Sequence, residues 1–136
     1  MTKKWFSGLA FVALGLQFQS CESSADLTAD KCIRVKIIDY ICAEVVFQIL
    51  DPAYYHLGES QWGQGDAKYD HVFHSFLGCT DLDYLSKLAG PTVIGKELDI
   101  QVIEKNEDKN CAVCKATLGN APKTKLDIKF NLDGCN

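Results

Sequence analysis

A chain of 136 residues, 47% apolar and 24% charged, has room for one domain with one modest core, and its composition excludes widespread disorder. The 14 basic and 18 acidic residues leave a net charge of −4. Setting aside Lys3 and Lys4, the stretch from Glu22 onward holds 12 basic and 18 acidic residues, a net of −6 with its lysines scattered, which excludes nucleic acid as the expected partner because such a surface repels phosphate.

The chain opens with a basic start, Lys3-Lys4, followed by an apolar run over residues 5–16 that Gln17 and Gln19 end. This is the order of a secretory signal, and the run is too short for a membrane span. Two cleavage readings stand. Leu16-Gln17-Phe18-Gln19-Ser20-Cys21 resembles a lipobox, with Cys21 as the lipid-attachment residue and Glu22-Ser23-Ser24 as the start of a polar tether; alternatively, an ordinary signal peptidase cuts after Ser23-Ser24-Ala25. The first is the favoured reading, since a Cys directly follows the apolar run. The expected organisation is a signal over residues 1–20, a lipidated tether over 21–31 and one domain over 32–136. An acylated Cys21 would hold the protein to a membrane, each buried CH₂ contributing about 0.8 kcal/mol. The expected location is the periplasm, outer membrane or cell surface, or, with the second cleavage, secretion.

The domain begins with Ile33, Val35 and Ile37 alternating with Arg34 and Lys36, the period of a half-buried strand. A second strand-forming run covers 44–50 and stops at Asp51-Pro52. Residues 51–68 then form a long connection rich in glycine and aromatics, and loops of this length in small domains are often functional. Tyr54, Tyr55 and Trp62 are its candidate binding residues, because flat rings with polar edges suit a sugar or a peptide; Asp51, Glu59, Gln61, Gln64 and Asp66 can supply hydrogen bonds to hydroxyls. The competing reading folds these rings back as a satellite core. A third strand is predicted over 68–76 and a helix over 81–89, with Leu82, Leu85 and Leu88 on one face and Thr80 as its cap. A fourth strand over 93–104, a polar loop over 105–122 and a fifth strand over 125–131 complete the chain.

Seven cysteines punctuate this pattern: Cys21, Cys32, Cys42, Cys79, Cys111, Cys114 and Cys135. Removing Cys21, by lipidation or cleavage, leaves six, an even number suited to disulfides in an oxidising compartment; the pairing does not follow from sequence. Cys111-Ala112-Val113-Cys114 has the spacing of a redox pair, but Glu107-Asp108 oppose thiolate formation and no βαβ pattern surrounds it. Haem attachment would need His where Lys115 stands, and a zinc site would need a second close pair. Structural disulfides are the favoured reading, with a thiol–disulfide oxidoreductase using Cys111 and Cys114 as the alternative.

The order strand, strand, strand, helix, strand, strand resembles the OB-fold, a five-stranded Greek-key barrel; a β-sandwich with one short helix fits the same order. With its lipobox-like start and cysteine-studded OB-like pattern, the chain also resembles small lipoproteins of unassigned function found in Bacteroidetes. The resemblance implies a mostly β, disulfide-bonded, envelope-anchored domain, and carries no catalytic residue. His71 and His74, three apart on a strand, point to opposite faces, and His56 lies in the aromatic loop. No phosphate loop, G-x-S-x-G elbow or H-E-x-x-H motif occurs, so no catalytic residue, metal site or cofactor is assigned. The expectation is therefore a non-catalytic binding or interaction module with a carbohydrate or protein partner, or an accessory subunit of an envelope complex.

Overall fold

The alternation at the start of the domain produces strand β1 (Cys32–Ile41), which turns through Cys42-Ala43 into β2 (Glu44–Ile49). The computed structural model describes residues 32–88, 92–112, 114–131 and 133. The signal and tether, with Cys21, lie outside the described residues, as does Cys135. Ile33, Val35 and Ile37 of β1 and Val45, Phe47 and Ile49 of β2 all turn into one core, as a period of two requires. Ile38, next in the alternation, faces the opposite side, and the register shifts by one residue between Ile37 and Asp39, a bulge that increases the local twist.

Beyond β2 come a 3₁₀ helix (Pro52–Leu57), a small hairpin of β3 (Trp62–Gln64) and β4 (Ala67–Tyr69), then β5 (Val72–Phe76), helix α1 (Cys79–Leu88), β6 (Glu97–Ile103) and β7 (Asp127–Phe130). Five strands form one curled antiparallel sheet in the order β5-β2-β1-β6-β7, while β3 and β4 form a second, two-stranded sheet. The two outer edges of the large sheet approach each other where His74 donates its N–H to the Thr124 carbonyl (3.0 Å) and accepts from Leu126 N–H (3.1 Å), a parallel bridge. The fold is thus a mostly β, OB-like half-barrel with one short helix.

The seam between β5 and β7 is completed by side chains. On the edge of β7 facing away from β6, the Phe130 N–H donates to Asp81 Oδ1 (2.9 Å) and the Ile128 carbonyl accepts from Asn106 Nδ2 (3.1 Å). Asp81 and Asn106 are both buried, and their polar atoms satisfy the backbone that a missing strand would otherwise pair. Inside the barrel Phe47 stacks on Phe73 (5.3 Å) and meets Phe130 edge-on (6.4 Å), and Leu85 of α1 joins the same core.

Ser75 turns into this interior, fully buried, and among the described residues its hydroxyl has no hydrogen-bond partner. Because an unsatisfied buried hydroxyl destabilises, Ser75→Ala is expected to raise stability by roughly 1 kcal/mol. Urea denaturation checks this; a loss of 1 kcal/mol or more would mean the hydroxyl is bonded.

Three local expectations shift. The third strand does not run from 68 to 76: His71, with φ 60, interrupts it, so 67–69 pair back on 62–64 and only Val72–Phe76 joins the large sheet. The helix starts at Cys79 and draws its cap from a distant loop, the Thr80 N–H donating to Asp108 Oδ2 (2.8 Å) and the Cys79 N–H to the Asp108 carbonyl (2.8 Å). The fourth strand begins at Glu97 because Gly95, at φ 88, turns the chain just before it.

Two disulfides tie the 105–122 loop to this frame. Cys42 joins Cys114 across 72 residues and Cys79 joins Cys111 across 32. Cys32 is disulfide-bonded as well.

Candidate functional site

OB-folds take ligands on the outer face of their second and third strands, here β2 and β5. Strand alternation sends Glu44, Val46 and Gln48 of β2 to that face, with Phe76, His74 and Val72 of β5 directly opposite them. In this protein the face is covered by its own chain. The β3–β4 hairpin lays Trp62 on Val46, Val72 and Ile38, forming a second buried cluster edged by Tyr69 and Leu118. The hairpin turns through Gly65-Asp66, with Gly65 at φ 60, in the left-handed region that favours glycine.

Trp62 is 6% exposed, and its indole Nε1–H donates to the Asn120 carbonyl (2.9 Å), while the Asn120 amide returns a bond to the Gly63 carbonyl. The polar groups around it are equally engaged. Glu44, 3% exposed, places Oε1 2.8 Å from His74 Nδ1 and accepts the Leu118 N–H on Oε2 (2.8 Å). Glu59 Oε2 accepts the Thr124 N–H (2.8 Å), and Gln48 Nε2 donates to the Asp70 carbonyl (3.3 Å). Lys125 Nζ stands 5.2 Å over the Phe76 ring. Segment 118–125 and the hairpin together seal the face.

The hairpin's base is held tightly. Glu59 and Val72 exchange both backbone hydrogen bonds (2.8 and 2.9 Å), and the Gln61 N–H donates to Asp70 Oδ1 (2.8 Å). Gln61 (φ 59) and His71 (φ 60) both sit in the left-handed region, which costs a non-glycine residue about 1–3 kcal/mol and persists only where surrounding contacts enforce it. Gly58 passes so close to the His71 backbone that a Cβ would meet the His71 carbonyl carbon at 2.4 Å, so only glycine fits there.

The three aromatic candidates therefore separate. Trp62 belongs to the cluster over β2 and β5, whereas Tyr54 and Tyr55, half-buried on the 3₁₀ helix, pack against the barrel core. Tyr55 also stacks on His71, ring centres 3.7 Å apart and 2° from parallel. Of the polar candidates, Asp51 caps the 3₁₀ helix through the Ala53 N–H (3.0 Å), while Gln61 and Asp66 are exposed. The histidines diverge: His56 is exposed, His71 lies against Tyr55, and His74 faces Glu44. Cys111 and Cys114 are bonded to Cys79 and Cys42 rather than to each other. Sequence reading had no signal for Glu44, Leu118 and Asn120 as partners of this face, since their contacts span 30 to 74 residues.

A separate cleft of about 350 Å³ opens beside the seam, lined among others by Thr80, Asp81, Lys105, Asn106, Asp108 and Lys129. Burial pushes the Asp81 carboxyl above the usual aspartate value, the Phe130 N–H and the Lys129 charge opposing this. The Thr80 N–H pulls exposed Asp108 the other way. A carboxyl raised on folding stabilises the fold fully below its unfolded value of about 3.8, and that contribution is lost as pH rises through the higher folded value. Asp81→Asn retains an acceptor for Phe130 and removes this dependence. The variant's stability relative to wild type is expected to rise as pH climbs from the unfolded value of about 3.8 through the raised folded one and then to level off, measured by denaturation at several pH values; a difference independent of pH would refute the assignment.

No protein family model, no curated protein and no solved structure matches the chain. Its function is therefore read from its own residues.

Proposed function

We propose that this protein is an exported, lipid-anchored, non-catalytic interaction module, attached to the cell envelope through Cys21. In this reading it meets a protein or carbohydrate partner on the insertion between β2 and β5. The observation that carries the reading is that insertion: some twenty residues, Asp51 to His71, are held in one defined shape over the side of the barrel where OB-folds take ligands. Such a structure invests ordering entropy in a surface, and ordered surface loops on a rigid scaffold are where binding residues concentrate. Tyr54 and Tyr55 remain half-exposed there, with the polar tip around Gly65-Asp66 beside the buried Trp62. The disulfides support an oxidising compartment, in keeping with the signal-like start.

Two measurements test the two halves of the proposal. Intact mass of membrane-purified protein, before and after reduction, is expected to show an acylated chain beginning at Cys21; an unprocessed start would remove the anchor. Glycan and peptide arrays, with in-membrane crosslinking, are expected to return a partner that a Tyr54→Ala/Tyr55→Ala variant loses while keeping its fold. A blank from the wild-type protein on both would sink the interaction reading.

A further inference from the structure

We infer that the chain is a substrate of a thiol–disulfide isomerase: its native crosslinks are reached by exchange from a locally closed, non-native bond between Cys111 and Cys114. The observation is connectivity. The two cysteines are only three residues apart, yet each is bonded to a distant partner, Cys114 to Cys42 at a separation of 72 and Cys111 to Cys79 at a separation of 32. The second bond is nested inside the first.

In an unfolded chain the chance that two thiols meet falls with separation roughly as the power −3/2. Closure between Cys111 and Cys114 is then favoured over Cys42–Cys114, at a separation of 72, and over Cys79–Cys111, at a separation of 32. Cys32 and Cys42, ten apart, compete for the same sulfur in the same way. The native pairs depend on elements that must already be in place. Cys42 occupies the β1–β2 turn, Cys79 the start of α1, and segment 105–118 reaches them only when Asp108 caps the helix and Leu118 bonds Glu44. An oxidant acting before the barrel forms therefore closes the wrong ring.

Repair balances without any further oxidant. From a chain carrying Cys111–Cys114 and a second non-native bond such as Cys42–Cys79, a catalytic thiolate attacks Cys114 Sγ, forming a mixed disulfide and releasing the Cys111 thiolate. Cys111 attacks Cys79 Sγ, making Cys79–Cys111 and expelling the Cys42 thiolate. Cys42 then attacks Cys114 Sγ, making Cys42–Cys114 and returning the catalytic thiolate. Two disulfides enter and two leave, and every electron pair is accounted for. The inference concerns maturation and stands whether or not the interaction reading holds.

The test uses the full chain, reduced and denatured, diluted into native buffer with diamide as a thiol-free oxidant, and its bonds mapped by peptide mass. Diamide alone is expected to give Cys111–Cys114 as the dominant early product. Adding a purified disulfide isomerase should then raise the fraction carrying Cys42–Cys114 and Cys79–Cys111 at least ten-fold, whereas the same isomerase with its active-site cysteine replaced by serine should not. Native bonds dominating in diamide alone would overturn the inference, and so would a Cys111–Cys114 bond that active isomerase leaves unchanged.

Discussion

Replacing Trp62 with alanine is expected to cost about 3–5 kcal/mol of folding stability, the range for removing a large buried aromatic side chain. The indole is 6% exposed, fills the space over Val46, Val72 and Ile38, and gives its N–H to the Asn120 carbonyl. The substitution therefore removes apolar burial, leaves a void, and strands an acceptor in the 118–125 segment. Against a total of roughly 5–15 kcal/mol for a domain, this is a large fraction. Denaturant unfolding gives the number, and limited proteolysis gives the place: cleavage within 59–71 is expected to rise before global unfolding. A loss below 1 kcal/mol, with the hairpin still resistant, would show that the ring is not structural and would return Trp62 to the list of ligand contacts.

Reduction is expected to act as strongly. In the chain-entropy account, a crosslink spanning 72 residues and one spanning 32 each stabilise by about 4 kcal/mol, chiefly by restricting the unfolded chain. Losing both approaches the whole stability of the domain. The reduced protein, with its thiols blocked by alkylation under denaturing conditions, is expected to lack a cooperative thermal transition above 25 °C. A Cys42→Ser/Cys114→Ser variant is expected to retain such a transition at a melting temperature lower by some 15–30 °C. Circular dichroism on heating reads both. A reduced chain that melts within a few degrees of the oxidised one would mean that the core alone specifies the fold.

The barrel was legible in the sequence because its signals are local. Ile33, Val35 and Ile37, and later Leu98 and Ile100, alternate in the chain and face the core in the structure. Asp51-Pro52 ends β2 as expected, and the three leucines place α1, though Leu88 stays 39% exposed. The site was less legible for two physical reasons. The alternation of Tyr69, His71 and Phe73 reads as one continuous strand, and nothing in the residue type of His71 announces the left-handed backbone that breaks it. The aromatic loop left platform and satellite core open; Trp62 goes to the second, because Asn120, 58 residues away, supplies its hydrogen bond. Glu44 looks like a solvent-facing strand residue until His74 and the Leu118 amide close around it. The cysteine count announced disulfides, but their partners are set by tertiary contacts that spacing alone does not encode.

The way the two rims of the sheet meet has a mechanical consequence. Elsewhere, separating neighbouring strands means breaking a ladder of main-chain bonds together, whereas between β5 and β7 the load falls, among the described residues, on one parallel bridge and on side chains, the Asp81 carboxylate and the Asn106 amide among them. Opening there leaves every antiparallel pairing intact, so the molecule has a preferred line along which to breathe, like a cuff fastened by a few buttons. Those fasteners are anchored on the helix that carries Cys79 and on the loop that carries Cys111, so the Cys79–Cys111 bond spans the opening and limits how far the cuff can gape.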